Sequence, residues 1–307
     1  MLKKKIIFLL GPTGIGKSKV AISLAKKLHT EIISCDSMQV YRRMDILTSK
    51  VTLAQQKNVK HHLLNIIDPA REYDVARYRR SALAICDQLF SRGKIPLFAG
   101  GTGLYYSVVV DGLFAGVPED KAIRLRLQKQ LKARGSGYLH RRLVKVDPVA
   151  AARIHAHDSK RVIRALEVYL KTGQRISDLQ RQRVGLGAEY EIFPIALNAS
   201  RASLYQAIDL RVKQMFKAGV VREVKSLLKS KPSRTAAAAI GVPEIRGYLK
   251  GQYGLLECQK LMQRNSRRYA KRQLTWLRKD KRIKWIKVKR KETSGAIASR
   301  IYRQLYK

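Results

Sequence analysis

The first apolar stretch of the chain is unbroken, Ile6-Ile7-Phe8-Leu9-Leu10, and ends in glycine. A short continuous apolar run closed by a turn signal predicts a strand buried on both faces. Apolar residues at helical spacing follow over 20–28, and a second short apolar run covers 31–35. Residues 46–53 have no clear period. Residues 61–67 read as another strand, closed by Asp68-Pro69; 75–91 return to helical spacing, and Gly93 and Pro96 mark the turn into a strand over 95–99. This β-α-β-α-β succession predicts a parallel sheet with helices on both faces.

From Pro118 the pattern becomes basic and helical, over 121–134, 137–146, 147–155 and 158–172, the last stopped by Gly173. Asp147-Pro148 is a good helix start, with Asp at the N-cap and Pro at the first helical position. A strand-like run over 190–197 interrupts the helices and is expected to rejoin the sheet. Helices over 203–217 and 220–229, a weak stretch over 232–239, a long helix over 255–277, a strand over 283–288 and an amphipathic piece over 296–306 complete the chain. No internal repeat is found.

The turn after the first strand, Gly11-Pro12-Thr13-Gly14-Ile15-Gly16-Lys17-Ser18, fits G-x-x-x-x-G-K-[ST] in the strand-loop-helix setting that this pattern requires. Glycines let backbone N–H groups converge on a phosphate and the helix N-terminus adds its positive dipole end. Lys17 supplies a cation, and Ser18 a hydroxyl for Mg²⁺. A diphosphate or triphosphate belongs here, whether it is transferred, hydrolysed or leaves. Two more loops follow strand ends: Asp36-Ser37-Met38-Gln39, and the glycine turn Gly100-Gly101-Thr102-Gly103. Open α/β sheets place ligands at such ends, so the loop from Asp36 is expected beside the phosphate loop.

The expected fold class is α/β: a P-loop NTPase-like parallel sheet core with a helical insertion domain and C-terminal helices. Residues 1–111 form the first part of the core, 112–187 the insertion, and 188–307 the remainder with its basic helices.

Charge sharpens the picture. Among 307 residues, 64 Lys and Arg face 22 Asp and Glu, a net +42. Such a surplus argues for a polyanionic partner, although a generally basic proteome is the bland alternative. Arg264, Arg268 and Arg272 recur every four residues, with Arg267 and Lys271 beside them, and predict a basic helix stripe suited to RNA phosphates. Tyr269, Leu274, Trp276 and Leu277 form its apolar complement. Three scattered cysteines give neither a disulfide framework nor a zinc site. His61 and His62 would point to opposite faces of a strand, which favours a structural role over a shared metal. Lys3-Lys4-Lys5 before the first apolar run imitates a signal peptide, but the run is too short, and no segment reaches membrane-span length. A cytoplasmic protein is expected.

Taken in order, GPTGIGKS, DSMQVYRRMDI (36–46), HHLLNIIDP, IPLFAGGTGLY (95–105), RALEVYLKTG (164–173) and RRYAKRQLTWLR (267–278) resemble the tRNA dimethylallyltransferases, also called tRNA isopentenyltransferases, over nearly the whole chain. The resemblance implies prenyl transfer from dimethylallyl diphosphate, held by Gly11 to Ser18, to N6 of the adenosine immediately 3′ of the anticodon. It implies Asp36 as general base and Thr13 and Thr102 near the reacting centre. Arg124 would stand by the acceptor nucleotide, with tRNA contacts at Asp36, Ser37, Met38, Gln39, Lys160, Arg161, Val162, Ile163 and Arg164; the stripe adds Arg268 and Arg272. Mg²⁺ is the implied cofactor, the tRNA anticodon stem-loop the implied partner, and a monomer is expected. On residue chemistry alone, the alternative for Asp36 is an N-cap or Mg²⁺ ligand, for Arg124 a solvated helix position, and Ser37 and Gln39 are either readers of an adenine edge or braces of their loop.

Gly241-Val242-Pro243-Glu244 departs from the family's usual Gly-Tyr-Lys-Glu, so no site residue is placed there, and His157 stands where the family often has Asn. No zinc-finger extension is expected after Val288. Three rivals share the loop: an adenylate isopentenyltransferase acting on free nucleotide, a nucleoside or nucleotide kinase, and a basic RNA-binding protein with a degenerate loop. The basic helices argue against the first, and intact Lys17 and Ser18 against the last.

Overall fold

The computed structural model describes residues 4–114, 117–289 and 291–306. Lys3 of the lysine run, and Ala115 and Gly116 of the expected insertion, lie outside these ranges. Through Val110 the elements are β1 (Lys5–Leu10), α1 (Lys17–Lys27), β2 (Ile32–Cys35), α2 (Leu53–Asn58), β3 (His61–His62), α3 (Val75–Ser91), β4 (Leu97–Gly100) and α4 (Gly103–Val110). Next come α5 (Lys121–Val146), α6 (Pro148–Arg153), α7 (Ser159–Thr172) and α8 (Ile176–Arg181). The chain then continues with β5 (Glu191–Asn198), α9 (Arg201–Lys217), α10 (Val220–Lys229), α11 (Arg234–Ala237), α12 (Val242–Leu249), α13 (Leu255–Leu277), β6 (Lys284–Lys287) and α14 (Ser294–Leu305).

The described residues through Val110 and from Glu189 onward form one compact unit, and Asp111–Ala188 form the other. In the first unit all six strands are parallel, in the order β3-β2-β4-β1-β5-β6. The apolar runs of β1 and β2 are buried along their length because helices cover the sheet. On one face Val20, Ala21 and Leu24 of α1 and Ile297, Ala298 and Ile301 of α14 pack on Ile7, Leu9, Leu97 and Ile195. Register decides where the site lies: Leu10 and Cys35 are both level with Gly100. The phosphate loop, the loop from Asp36 and the second glycine turn therefore leave three adjacent strands at one height.

In the second unit α5 to α8 bury Leu127, Leu139, Leu143, Val162, Leu166 and Ile176. Gly135, at φ 76°, breaks α5 into the two helices expected from the sequence. Asp147 caps α6 by accepting the Ala150 N–H (2.9 Å), and its other oxygen accepts the Ser177 N–H (3.0 Å) at the start of α8.

One expectation needs correction, and three short helices went unassigned. The strand over 61–67 is only two residues long, because Leu63 (φ 61°) and Asn65 (φ 55°) adopt left-handed backbone that no strand continues through. The aperiodic stretch before residue 53 leads into a helix, α2, started by a capping box between Thr52 and Gln55. The short helices α8 and α11 also went unpredicted, since six and four residues carry too little periodicity. His62, on β3, places Nε2 2.7 Å from the buried Glu31 carboxylate.

Candidate active site

The phosphate loop turns on Gly14 and Gly16, both in left-handed backbone (φ 84° and 87°), and a Cβ on Gly14 would collide with Ile208 of α9. Lys17 begins α1 and curls back, its Nζ donating to the Pro12 carbonyl at 2.7 Å. Burial pushes its ammonium down to about 7; Asp36 opposes this shift and Arg211 reinforces it. Ser18 is exposed on the first turn of α1.

Asp36 directly follows β2, half-buried, and its Oδ1 accepts the Met38 N–H at 2.9 Å, a local turn that leaves Oδ2 for other work. Thr102 of the second glycine turn closes on the same loop: its Oγ1 accepts the Ser37 N–H at 3.1 Å, and its own N–H donates to the Cys35 carbonyl at 3.1 Å. Gln39 donates from Nε2 to the Thr48 carbonyl (3.2 Å) and accepts from Ser34 Oγ (3.4 Å). Gln39 and the Ser37 backbone thus brace this loop.

Two residues that sequence reasoning passed over hold these loops together. Gln273, buried on α13, accepts the Thr13 N–H through Oε1 and donates from Nε2 to the Gly101 carbonyl, each at 2.9 Å, so one amide joins the two glycine loops. Gly101 must be glycine for this, because a Cβ there would meet Gln273 Nε2 and the Gly11 carbonyl. Arg211, on α9, donates from Nη1 to Thr13 Oγ1 (2.5 Å) and from Nε to Ser49 Oγ (2.8 Å), both uncharged partners. Burial lowers its affinity for the proton, and Asp36 counters this. A signal for both existed. Arg211 continues the apolar face Leu204, Ile208, Met215 of α9, and Gln273 lies between the buried Ala270 and Leu277 of α13. A polar residue in an apolar stripe is the informative exception.

Tyr269, taken from the sequence as part of an apolar complement, is polar in effect. Burial pushes its phenol up to about 12, the Asp36 charge adds to this, and a hydrogen bond with Thr102 draws it back. Trp276 packs on Gly103 and meets the Tyr106 ring edge-on, with centroids 5.8 Å apart. On α13, Arg264, Lys271, Arg268 and Arg272 are exposed, Arg272 lying over the Tyr269 ring. Arg267 leaves the stripe: its Nη1 pairs with Asp209 Oδ1 at 2.5 Å.

The helical unit holds the remaining candidates. Arg124 is not a solvated helix position: it pairs with Glu119 (2.6 Å) and with the fully buried Glu167 (3.0 Å). Arg164 shares that carboxylate at 2.7 Å and also donates to the Val117 carbonyl. Burial would raise the Glu167 carboxyl, but the hydrogen bonds from Arg164, the Asp120 N–H and Arg124 outweigh it and hold it below the usual range. Val162 and Ile163 are 1% and 7% exposed and belong to the core of this unit, so their side chains do not face a ligand. Lys160 and Arg161, in the first turn of α7, are exposed.

At Gly241-Val242-Pro243-Glu244, Glu244 accepts the Gly241 N–H (2.7 Å) and the Asn265 amide (2.6 Å), while Val242 is fully buried. The departure therefore forms a sound helix start. Among the described residues no helix is long and apolar enough to cross a membrane, and no three His, Cys, Asp or Glu side chains gather as a metal group.

A family model described as IPP transferase matches residues 39–280, and one described as isopentenyl transferase matches residues 4–64. The tRNA dimethylallyltransferase of Heliobacterium modesticaldum is 44% identical over 282 residues, covering 91% of this chain and 88% of that protein. That of Thermotoga maritima is 44% identical over 283 residues, covering 92% of each. The crystal structure of the tRNA isopentenylpyrophosphate transferase of Bacillus halodurans superposes with a TM-score of 0.72 at 37% identity, over 99% of this chain and 97% of that one. A eukaryotic dimethylallyltransferase acting on tRNA gives 0.75 at 30% identity, over 92% of this chain and 74% of its own. With likeness of sequence and fold extending over nine-tenths of its length, the chain belongs to the tRNA dimethylallyltransferase family.

Proposed function

We propose that this protein transfers a dimethylallyl group from dimethylallyl diphosphate to N6 of the adenosine immediately 3′ of the anticodon in tRNA, releasing diphosphate. The observation that carries the reading is a pair of half-buried cations, Lys17 and Arg211, whose hydrogen bonds go to a loop carbonyl and two hydroxyls beside a carboxylate at a neighbouring strand end. Such cations suit an incoming diphosphate, and bonds to its ionised oxygens would exceed those they now make to uncharged acceptors. Negative charge grows on the diphosphate as the allylic C–O bond stretches, and fixed cations with backbone N–H groups favour that change.

The adenine amino group is a poor nucleophile, because its lone pair is delocalised into the ring. Asp36 Oδ2 would take its proton as the new C–N bond forms, with Thr102 and Thr13 beside the reacting atoms. Arg124, fixed by Glu119 and Glu167, is the residue that resemblance sets by the acceptor nucleotide. An anticodon-loop adenosine must leave its stack to reach such a site, at a few kcal/mol, which phosphate contacts elsewhere offset. Lys160, Arg161, Arg268 and Arg272 are exposed cations suited to those contacts.

Mg²⁺ fits the exposed Ser18 hydroxyl, a hard oxygen ligand, and diphosphate oxygens would complete the shell. Bound there, the ion would neutralise charge on the leaving diphosphate. Three free, buried cysteines and the tRNA substrate accord with a cytoplasmic enzyme.

The reading is tested by incubating the protein with labelled dimethylallyl diphosphate and unmodified tRNA, and digesting the tRNA to nucleosides. Label on adenosine is expected; bare adenosine, or γ-phosphate transfer from ATP to a nucleoside, refutes it.

Two further outcomes follow. Lys17 sits at about 7 in the ligand-free protein against an ordinary 10.5, and a bound diphosphate would raise it. Between those values the complex holds a proton that the free protein lacks, so donor binding takes up a proton. Affinity then falls as pH rises, by up to about tenfold per unit. Calorimetry in buffers of different ionisation heat measures the uptake, and a flat affinity from pH 7.5 to 9 contradicts it. Charge reversal of Arg268 and Arg272 to Glu is expected to weaken tRNA binding and to lower the slope of log K against log salt by roughly 1 for each phosphate that is no longer neutralised. An unaltered slope places the RNA on another face.

A further inference from the structure

We propose that Glu223, on α10, is a positioning residue for the diphosphate site, acting on Arg211 through the turn over 45–49; the inference rests on the reading of that site as a diphosphate pocket. The Glu223 carboxylate accepts three consecutive backbone N–H groups, from Asp45 and Ile46 at Oε2 (2.9 and 2.8 Å) and from Leu47 at Oε1 (2.8 Å). These are the donors that the start of a helical turn leaves without intrahelical partners. Here a side chain nearly 180 positions away along the chain fills the role that a local cap usually takes.

The far end of the same turn is closed by two bonds of 3.0 Å, from the Lys50 N–H to the Asp45 carbonyl and from the Ser49 N–H to the Ile46 carbonyl. This is a Schellman arrangement with Ser49 at its left-handed position, φ 48°. Glycine or asparagine usually stands there. A serine is retained in that conformation by what surrounds it, and its hydroxyl is the acceptor for Arg211 Nε. Arg211 then reaches the Thr13 hydroxyl in the phosphate loop.

A carboxylate on α10 thus fixes a turn, the turn fixes a hydroxyl, and the hydroxyl aims a half-buried guanidinium at the place where paired phosphates would lie. Other contacts keep the loop from collapsing without Glu223. Lys50 Nζ holds the Tyr41 carbonyl, Asp45 and Asn65, and the Leu47 side chain packs so closely beneath Gly241 that a Cβ there would overlap it. Loss of Glu223 should therefore disturb aim more than folding.

The test is a double-mutant cycle, read as the affinity of the full chain for inorganic pyrophosphate in the presence of Mg²⁺. Glu223→Ala is expected to weaken binding about tenfold in the wild-type background and less than about twofold once Arg211 is replaced by alanine. A general structural defect would weaken both backgrounds alike, and that additivity, or undiminished binding by Glu223→Ala alone, overturns the proposal. Glu223→Gln keeps the volume but points N–H against N–H at Leu47; it is expected to behave like the alanine variant and answers the question if the latter does not fold. If wild-type protein binds no pyrophosphate, the pocket reading falls and the inference with it; if it binds and the cycle is additive, the inference alone falls.

Discussion

Replacing Asp36 by asparagine is expected to slow prenyl transfer by about 10²–10⁴-fold while binding of tRNA and donor stays within about twofold. The substitution isolates proton transfer from architecture. Asp36 uses one oxygen to accept the Met38 N–H, and the asparagine amide oxygen can accept the same bond, so the loop after β2 keeps its shape. The second oxygen becomes an NH₂ group, which cannot take a proton from N6 of adenosine. Thr102 still holds the Ser37 N–H, so the acceptor side of the pocket is otherwise unchanged. Single-turnover transfer from labelled donor measures the chemical step apart from binding. Near-normal transfer by the variant would remove Asp36 from the base role and leave it as a turn residue or metal ligand.

The second large effect belongs to the cations. Lys17→Ala and Arg211→Ala should each raise the dissociation constant for dimethylallyl diphosphate by about 10²-fold, because each removes a charge-assisted bond from a partly buried site. The two should differ in how they are rescued. Lys17 is a point charge curled onto the Pro12 carbonyl, whereas Arg211 reaches Thr13 and Ser49 at once from different nitrogens of one plane. An ammonium cannot span both hydroxyls, so Arg211→Lys should recover little affinity. Direct binding measurements with and without tRNA check this. Donor affinity unchanged in both alanine variants would mean that the diphosphate lies elsewhere.

Neighbouring residues show how unevenly the site was legible. The strand-loop-helix turn over Gly11 to Ser18 could be read outright, since its glycines, lysine and serine fall at fixed intervals along a short contiguous backbone. Asp36 and Thr102 followed from position, each immediately after a predicted strand. Arg211 and Gln273 carried only a faint mark, a polar residue among apolar helical positions, and nothing in their surroundings named the loop they would meet. Arg267 misled in the opposite direction: it looks like a free surface cation, yet Asp209 takes it, and the pairing of Arg124 with Glu119 and Glu167 left no mark in the sequence either. Ion pairs between distant segments have no spacing to read.

The sequence by itself determined the elements that local physics controls: buried parallel strands from continuous apolar runs, the phosphate loop from its glycines, the basic α13 from its period, and the helix start at Asp147-Pro148. Tertiary structure decided everything requiring two remote segments to meet. It brought Leu10, Cys35 and Gly100 level, set one amide of Gln273 between two glycine loops, and let Glu223 close a turn that Ser49 completes. The reason is one of range: propensity, capping and periodicity act over a few residues, whereas register and long-range hydrogen bonds exist only once the whole core has packed.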